Sequence, residues 1–219
     1  MLQQSTLTFL TNLSKNNNKP WFEKHRDEYD TARADFESFV TTLLENLSKS
    51  DPVFKEIKAK DCVFRIYRDV RFSKDKTPYK SNFAAAFSRN GKNFQGAGYY
   101  LHLQPGGKTM AGGGMWMPEG PMLKAVRQEI DYNFADFKKI VSNATFKKYF
   151  KGVEGDELKT LPQGYTADNP AIEYLKKKSY IVSHVFADKD ITAKTFASKC
   201  SDVFSAMKPL VDFLNNSIN

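Results

Sequence analysis

The chain has 219 residues, 41% hydrophobic and 14% aromatic, which can bury a substantial core and suits a single domain spanning 1–219. Its only cysteines, Cys62 and Cys200, are too few for a disulfide framework and form no CxxC pair, and no window approaches the roughly 20 apolar residues needed to cross a bilayer. With 33 basic against 25 acidic residues, the formal charge of +8 and pI near 9.3 favour anionic partners without choosing among nucleic acid, phosphorylated metabolites and acidic protein, and serve solubility equally.

The start, "MLQQSTLTFLTNLSK", has no basic leader followed by a long apolar run, so a secretory signal is not expected. With two free thiols, the expectation is a cytoplasmic protein. Residues 5 to 13 read as a short helix, and the polar "KNNNKP" turn leads into one long amphipathic helix from Pro20 to about Ser50. Its apolar positions are Phe22, Tyr29, Phe36, Val40, Leu43 and Leu47. The middle then changes character. Residues 62–72, 82–88, 97–104 and 109–117 read as strands of an antiparallel meander, separated by "KDKTP", "RNGK" and "QPGGK". Along the third, Tyr99, Leu101 and Leu103 share one face while Tyr100, His102 and Gln104 share the other.

A helix from about Met122 carries the stripe Leu123, Val126, Ile130, Phe134, Phe137 and Val141. "FKGVEGDELKTLPQGY" reads as an exposed excursion or flap. Asn169 and Pro170 predict an N-cap and first helical position for "PAIEYLKKK", and "SYIVSHVFA" predicts a fifth strand. The last helix starts near Thr192 and is expected to kink or end at Pro209. Helices at both ends around clustered strands indicate α+β, a largely antiparallel sheet of about five strands with the helices packed on it.

The most charged stretch is "VFRIYRDVRFSKDKTPYKSN", residues 63–82. If 63–72 is extended, Arg65, Tyr67, Asp69 and Arg71 point one way and Phe64, Ile66, Arg68, Val70 and Phe72 the other. Arg68 among apolar side chains needs a carboxylate, water or a bulge. Arginine's rigid fork binds two oxygens at once, and the cations here exceed what Asp69 and Asp75 can neutralise. One reading is an anion site formed by Arg65, Arg68, Arg71, Lys76 and Lys80, with Tyr79 as a further donor. The other is an internal ion-pair network bracing strand and loop.

The pattern Arg65, Arg68-Asp69, Arg71-Phe72, Asp75-Lys76 and Tyr79-Lys80 resembles the signature of an uncharacterised bacterial family of about this length, classed as a domain of unknown function. The blocks "GYYLHLQPGGKTMAGGGMWMP" and "LPQGYTADNPAIEYLKKKSY" resemble it too. The family commonly has His where this chain has Asn169, so no imidazole is expected there, and the resemblance implies no activity, substrate or cofactor.

Other chemistry is sparse. "AGGGMWMP" lacks GxxxxGK[ST] and misses GxGxxG because Met117 stands at the last glycine position. Its glycines permit close backbone or ligand approach, with Trp116 as a stacking platform or, alternatively, a core tryptophan beside a bulge. His25, His102 and His184 form no HxxxH or HExxH, so no metal is expected. His102 is expected on the same sheet surface as Arg65 and Asp69. There is no GxSxG elbow, no cofactor motif, and no nucleophile signature around either cysteine. Three functions remain. The first is a module binding an anionic small molecule (phosphate or carboxylate) or nucleic acid, with Arg65, Arg68, Arg71, Lys76, Tyr79, Lys80 and Trp116 as ligand-binding residues. The second is a hydrolase or transferase on a phosphorylated substrate, with Asp69, Asp75 or His102 as catalytic candidates. The third is a scaffold in which the arginines are structural.

Overall fold

The structure, a computed structural model, describes residues 1–93 and 95–218. Among them the chain runs α1 (Gln4–Lys15), α2 (Lys19–Lys24), α3 (Arg26–Ser48), a 3-10 turn (Pro52–Lys55), α4 (Ala59–Cys62), β1 (Phe83–Phe87), β2 (Arg89–Lys92), β3 (Gly98–Leu103), β4 (Met110–Met115), α5 (Gly120–Tyr132), α6 (Phe134–Ser142), α7 (Ala144–Tyr149), α8 (Ile172–Leu175), β5 (Tyr180–Val185), α9 (Asp188–Ile191) and α10 (Phe196–Asn216). One open antiparallel sheet has the order β1-β3-β4-β5, so the class is α+β with four sheet strands instead of five.

The strand that does not form is the first. After α4 ends at Cys62, residues 63–80 are irregular and are tied by single bridges, Val63 to Ala85 and Tyr67 to Tyr79. The physical reason lies in Arg68: a continuous strand would hold its guanidinium among Phe64, Ile66 and Val70 without a counter-ion. Ile66 is buried as alternation requires, but Phe72 is 95% exposed.

The chain divides into two compact units. The first comprises Met1–Asn93, Tyr100–Ala111 and Val185–Ser201. Its core is aromatic: Phe22 meets Tyr29 at 5.0 Å between centroids, and Phe36 stacks on Phe83 at 5.4 Å. α1 joins this core because Thr6, Leu7, Phe9, Leu10 and Leu13 recur at helical spacing and are buried. The expected helix from Pro20 to Ser50 is two helices. His25 leaves helical geometry at φ −112°, ψ 29°, its Nδ1 lies 2.7 Å from the Trp21 carbonyl and its ring stacks on Trp21 at 4.0 Å.

The second unit comprises Phe94–Tyr99, Gly112–His184 and Asp202–Asn219. The predicted stripe buries Val126, Ile130 and Phe137, but the helix breaks at Asn133 into α5 and α6. The expected flap is pinned: Val153 is buried, and Glu154 and Glu157 bridge Ile181 and Lys177. Asn169 accepts the Ala171 N–H (2.8 Å) in a turn before α8, whose N-cap is Ala171. α10 runs through Pro209 instead of ending there. Pro209 and Ser205, four residues earlier, are both exposed, so the carbonyl freed by the missing N–H can be hydrated.

Candidate functional site

The Arg-rich segment lies wholly in the first unit, and its base is anchored before its charges are used. Asn17, from the "KNNNKP" turn, clamps the backbone of Tyr79: its Nδ2 donates to the Tyr79 carbonyl (2.8 Å) and its Oδ1 accepts the Tyr79 N–H (3.1 Å). The buried Tyr79 ring stacks on Phe22 at 4.0 Å. Backbone bonds from Arg68 N–H to Pro78 (2.9 Å) and from Lys80 N–H to Ile66 (2.8 Å) make the segment a hairpin-like loop. Tyr67 accepts a hydrogen bond from Arg26 (3.2 Å) on its hydroxyl.

Within the loop, the cations divide. Arg68 Nη1 donates to both Asp75 and Thr77, and Nη2 lies 3.4 Å from Ser73 Oγ, so its guanidinium cross-links the two arms. Arg71 forks onto Asp69 with contacts of 3.0 and 2.6 Å, and Lys76 donates to the Val70 carbonyl (2.9 Å). The Thr77 N–H, the Arg68 guanidinium and the Thr77 hydroxyl hold the Asp75 pKa down at about 2. Arg71, through its side chain and its N–H, lowers that of Asp69. Both carboxylates are thus engaged by neighbours within the loop.

Three cations are left over, the exposed Lys74 and two that neighbour each other, Arg65 and Lys80. Arg65 is exposed and makes no hydrogen bond or ion pair among the described residues. Lys80 is half-buried, its Nζ sits 5.6 Å from the centroid of Phe64, and it too has no carboxylate partner among the described residues. Burial lowers the Lys80 pKa, and the Arg65 charge lowers it further. Phe64 in turn faces Tyr100 at 6.3 Å, and Tyr100 faces His102 at 6.4 Å. The Tyr100 hydroxyl makes no hydrogen bond among the described residues, and burial raises its pKa. His102 Nε2 lies 2.8 Å from Gln104 Oε1 and its Nδ1 3.4 Å from Asn82 Nδ2, so both ring nitrogens face side-chain amides.

Phe64, Tyr100, Asn82 and Asn17 belong to this constellation without having been singled out from the sequence. Alternation along β3 does group Tyr100 with His102 and Gln104, but the meeting of that face with Phe64 and Lys80 is tertiary. Trp116 lies in the other unit and is 68% exposed, so it is not a core tryptophan. Among the described residues no group of three or more His, Cys, Asp or Glu side chains is placed to hold a metal ion, and no helix is long and apolar enough to cross a membrane. Both cysteines are buried free thiols, and burial pushes Cys62 up to about 11, far from a reactive thiolate.

No curated protein and no solved structure matches the chain. The sequence profile of a conserved hypothetical protein family, DUF2461, matches residues 5–213, which include the anchored loop, the sheet and both units. The chain therefore belongs to the DUF2461 family.

Proposed function

We propose that the protein is an anion-binding module and that Arg65 and Lys80 hold a phosphate or carboxylate beside Phe64 and Tyr100. The observation that carries this reading is a pair of neighbouring cations without a carboxylate partner among the described residues, one of them half-buried against an aromatic ring. Partly desolvating an ammonium next to a guanidinium is unfavourable, and a bound oxyanion offsets that cost by attraction to both charges. Tyr100 supplies a neutral donor at the same face. Arg68 and Tyr79 act in this reading as positioning residues, because one cross-links the loop and the other roots it on Phe22. The bonds of Arg68 are also the specific support for a structural role of the motif, and the same experiment separates the two. Two buried free thiols suit a reducing, cytoplasmic setting.

The test is thermal unfolding with inorganic phosphate and with succinate, since a ligand that prefers the native state raises its stability. The wild type is expected to gain melting temperature, Arg65→Ala and Lys80→Met to lose that gain, and Arg89→Ala, an exposed cation of β2, to keep it. A wild type that neither oxyanion protects, or protection that survives in both variants, overturns the reading. Because an anion stabilises the charged ammonium, binding is also expected to weaken as pH rises through the depressed Lys80 pKa.

A further inference from the structure

We infer that the loop from Arg65 to Lys80 docks single-stranded nucleic acid, with Phe72 as a platform on which an unpaired base stacks. The inference rests on the anion reading of Arg65 and Lys80 and extends it along the loop.

Phe72 is 95% exposed, yet the loop that carries it is tied internally. Arg68 joins Asp75 and Thr77, Lys76 Nζ caps the Val70 carbonyl, and the Asp69–Arg71 fork sits immediately before the ring. The exposure is therefore held in place by the fold. A phenylalanine left in water forgoes burial that would stabilise the protein, and its display at a braced tip beside Arg71 leaves both ring faces open to a stacking partner. Arg71 lies 5.8 Å from the ring centroid and is itself 76% exposed, which sets a guanidinium beside the stacking surface. Tyr67 gives a second ring, 41% exposed and fixed through its hydroxyl by Arg26. The same loop carries the exposed cations Arg65, Arg71, Lys74 and Lys76 against the two carboxylates Asp69 and Asp75, which Arg71 and Arg68 already pair.

Two exposed rings on one loop with a surplus of exposed cations match a polyanion whose bases stack and whose phosphates lie alongside. A bilayer would draw apolar groups to a common depth, whereas Tyr67 is bridged to Tyr79 at the base of the loop and Phe72 stands at its tip. A duplex hides its base faces, so the ring selects single strands.

The experiment is fluorescence anisotropy of labelled oligo-dT and oligo-rU of about 12 nucleotides, with a hairpin duplex and anionic phosphatidylserine vesicles as competitors, at low and moderate salt. Wild type is expected to prefer the single strands and to weaken steeply with salt. Phe72→Ala should lose about tenfold in affinity and Phe72→Trp should regain it, and neither change touches the core. Absence of oligonucleotide binding while inorganic phosphate still protects the protein overturns this inference and leaves the Arg65–Lys80 site standing. Oligonucleotide binding retained at full strength in Phe72→Ala, equal affinity for the duplex, or Phe72-dependent binding to vesicles alone each overturns it as well. A wild type that phosphate does not protect, with Phe72-dependent oligonucleotide binding intact, overturns the Arg65–Lys80 site and that basis of the inference, and leaves Phe72 as the stacking platform.

Discussion

Arg65 and Arg68 are three residues apart and chemically identical, but their surroundings give them opposite roles. Arg68 turns inward to Asp75, Thr77 and Ser73, whereas Arg65 faces solvent and its field falls on Lys80 and Asp69. Asp75 reports on this brace. Its pKa of about 2 lies below the ordinary 3.8, so its contribution to stability is complete above the ordinary value and is lost as pH falls through about 2. Following the Thr77 amide by NMR against pH should give a midpoint near 2 in the wild type. Arg68→Met should move it upward, though not fully to 3.8, because the Thr77 N–H still bonds the carboxylate. An unchanged midpoint in Arg68→Met would show that the guanidinium does not hold Asp75.

At the scale of elements, single residues decide where regular structure stops. His25 and Asn133 divide two predicted helices without changing which side chains are buried, so periodicity still identifies the apolar face. β4 shows a different constraint. Gly114 has φ +111°, and a Cβ there would lie 2.0 Å from the Tyr180 carbonyl oxygen of β5. In the same strand, a Cβ on Gly113 would meet Met207 Sδ at 2.4 Å and the Gly98 carbonyl oxygen at 2.7 Å. The glycine run is therefore a device for strand and helix approach. Gly114→Ala should cost at least about 2 kcal/mol, from strain and displaced backbone together, while Gly120→Ala, with open space around its Cβ position, should be neutral or slightly stabilising. Urea unfolding of the two variants checks this, and equal midpoints would refute the role of the close approach.

For the whole molecule, the formal charge of +8 makes association with anions sensitive to salt, but the local count of cations and carboxylates decides where such association can occur. We propose that the chain is one cooperative domain. Of the five passages between its two units, four fall inside regular elements, after Tyr99 in β3, after Ala111 in β4, after His184 in β5 and after Ser201 in α10, and the fifth follows β2 after Asn93. A strand shared in this way cannot unfold on one side without fraying the other. Calorimetry should therefore give a single transition whose calorimetric and van't Hoff enthalpies agree, and two resolved transitions would mean two domains.

Periodicity and turn residues act over a few positions, so the α+β class, four of the strands, the helical faces and the location of the dense positive charge are legible along the chain. They located β1, β3, β4 and β5 to within a few residues, and alternation correctly set Tyr100, His102 and Gln104 apart from the buried Tyr99, Leu101 and Leu103. Contacts across the fold account for the rest: 62–72 does not continue as a strand, Arg68 is spent inside the loop, and Arg65 and Lys80 are left without carboxylate partners among the described residues. Those outcomes depend on partners brought from a distance, Asn17 against Tyr79 across 62 positions above all. Whether a charge is neutralised is set by what lies beside it in space, and spacing along the chain carries no record of that.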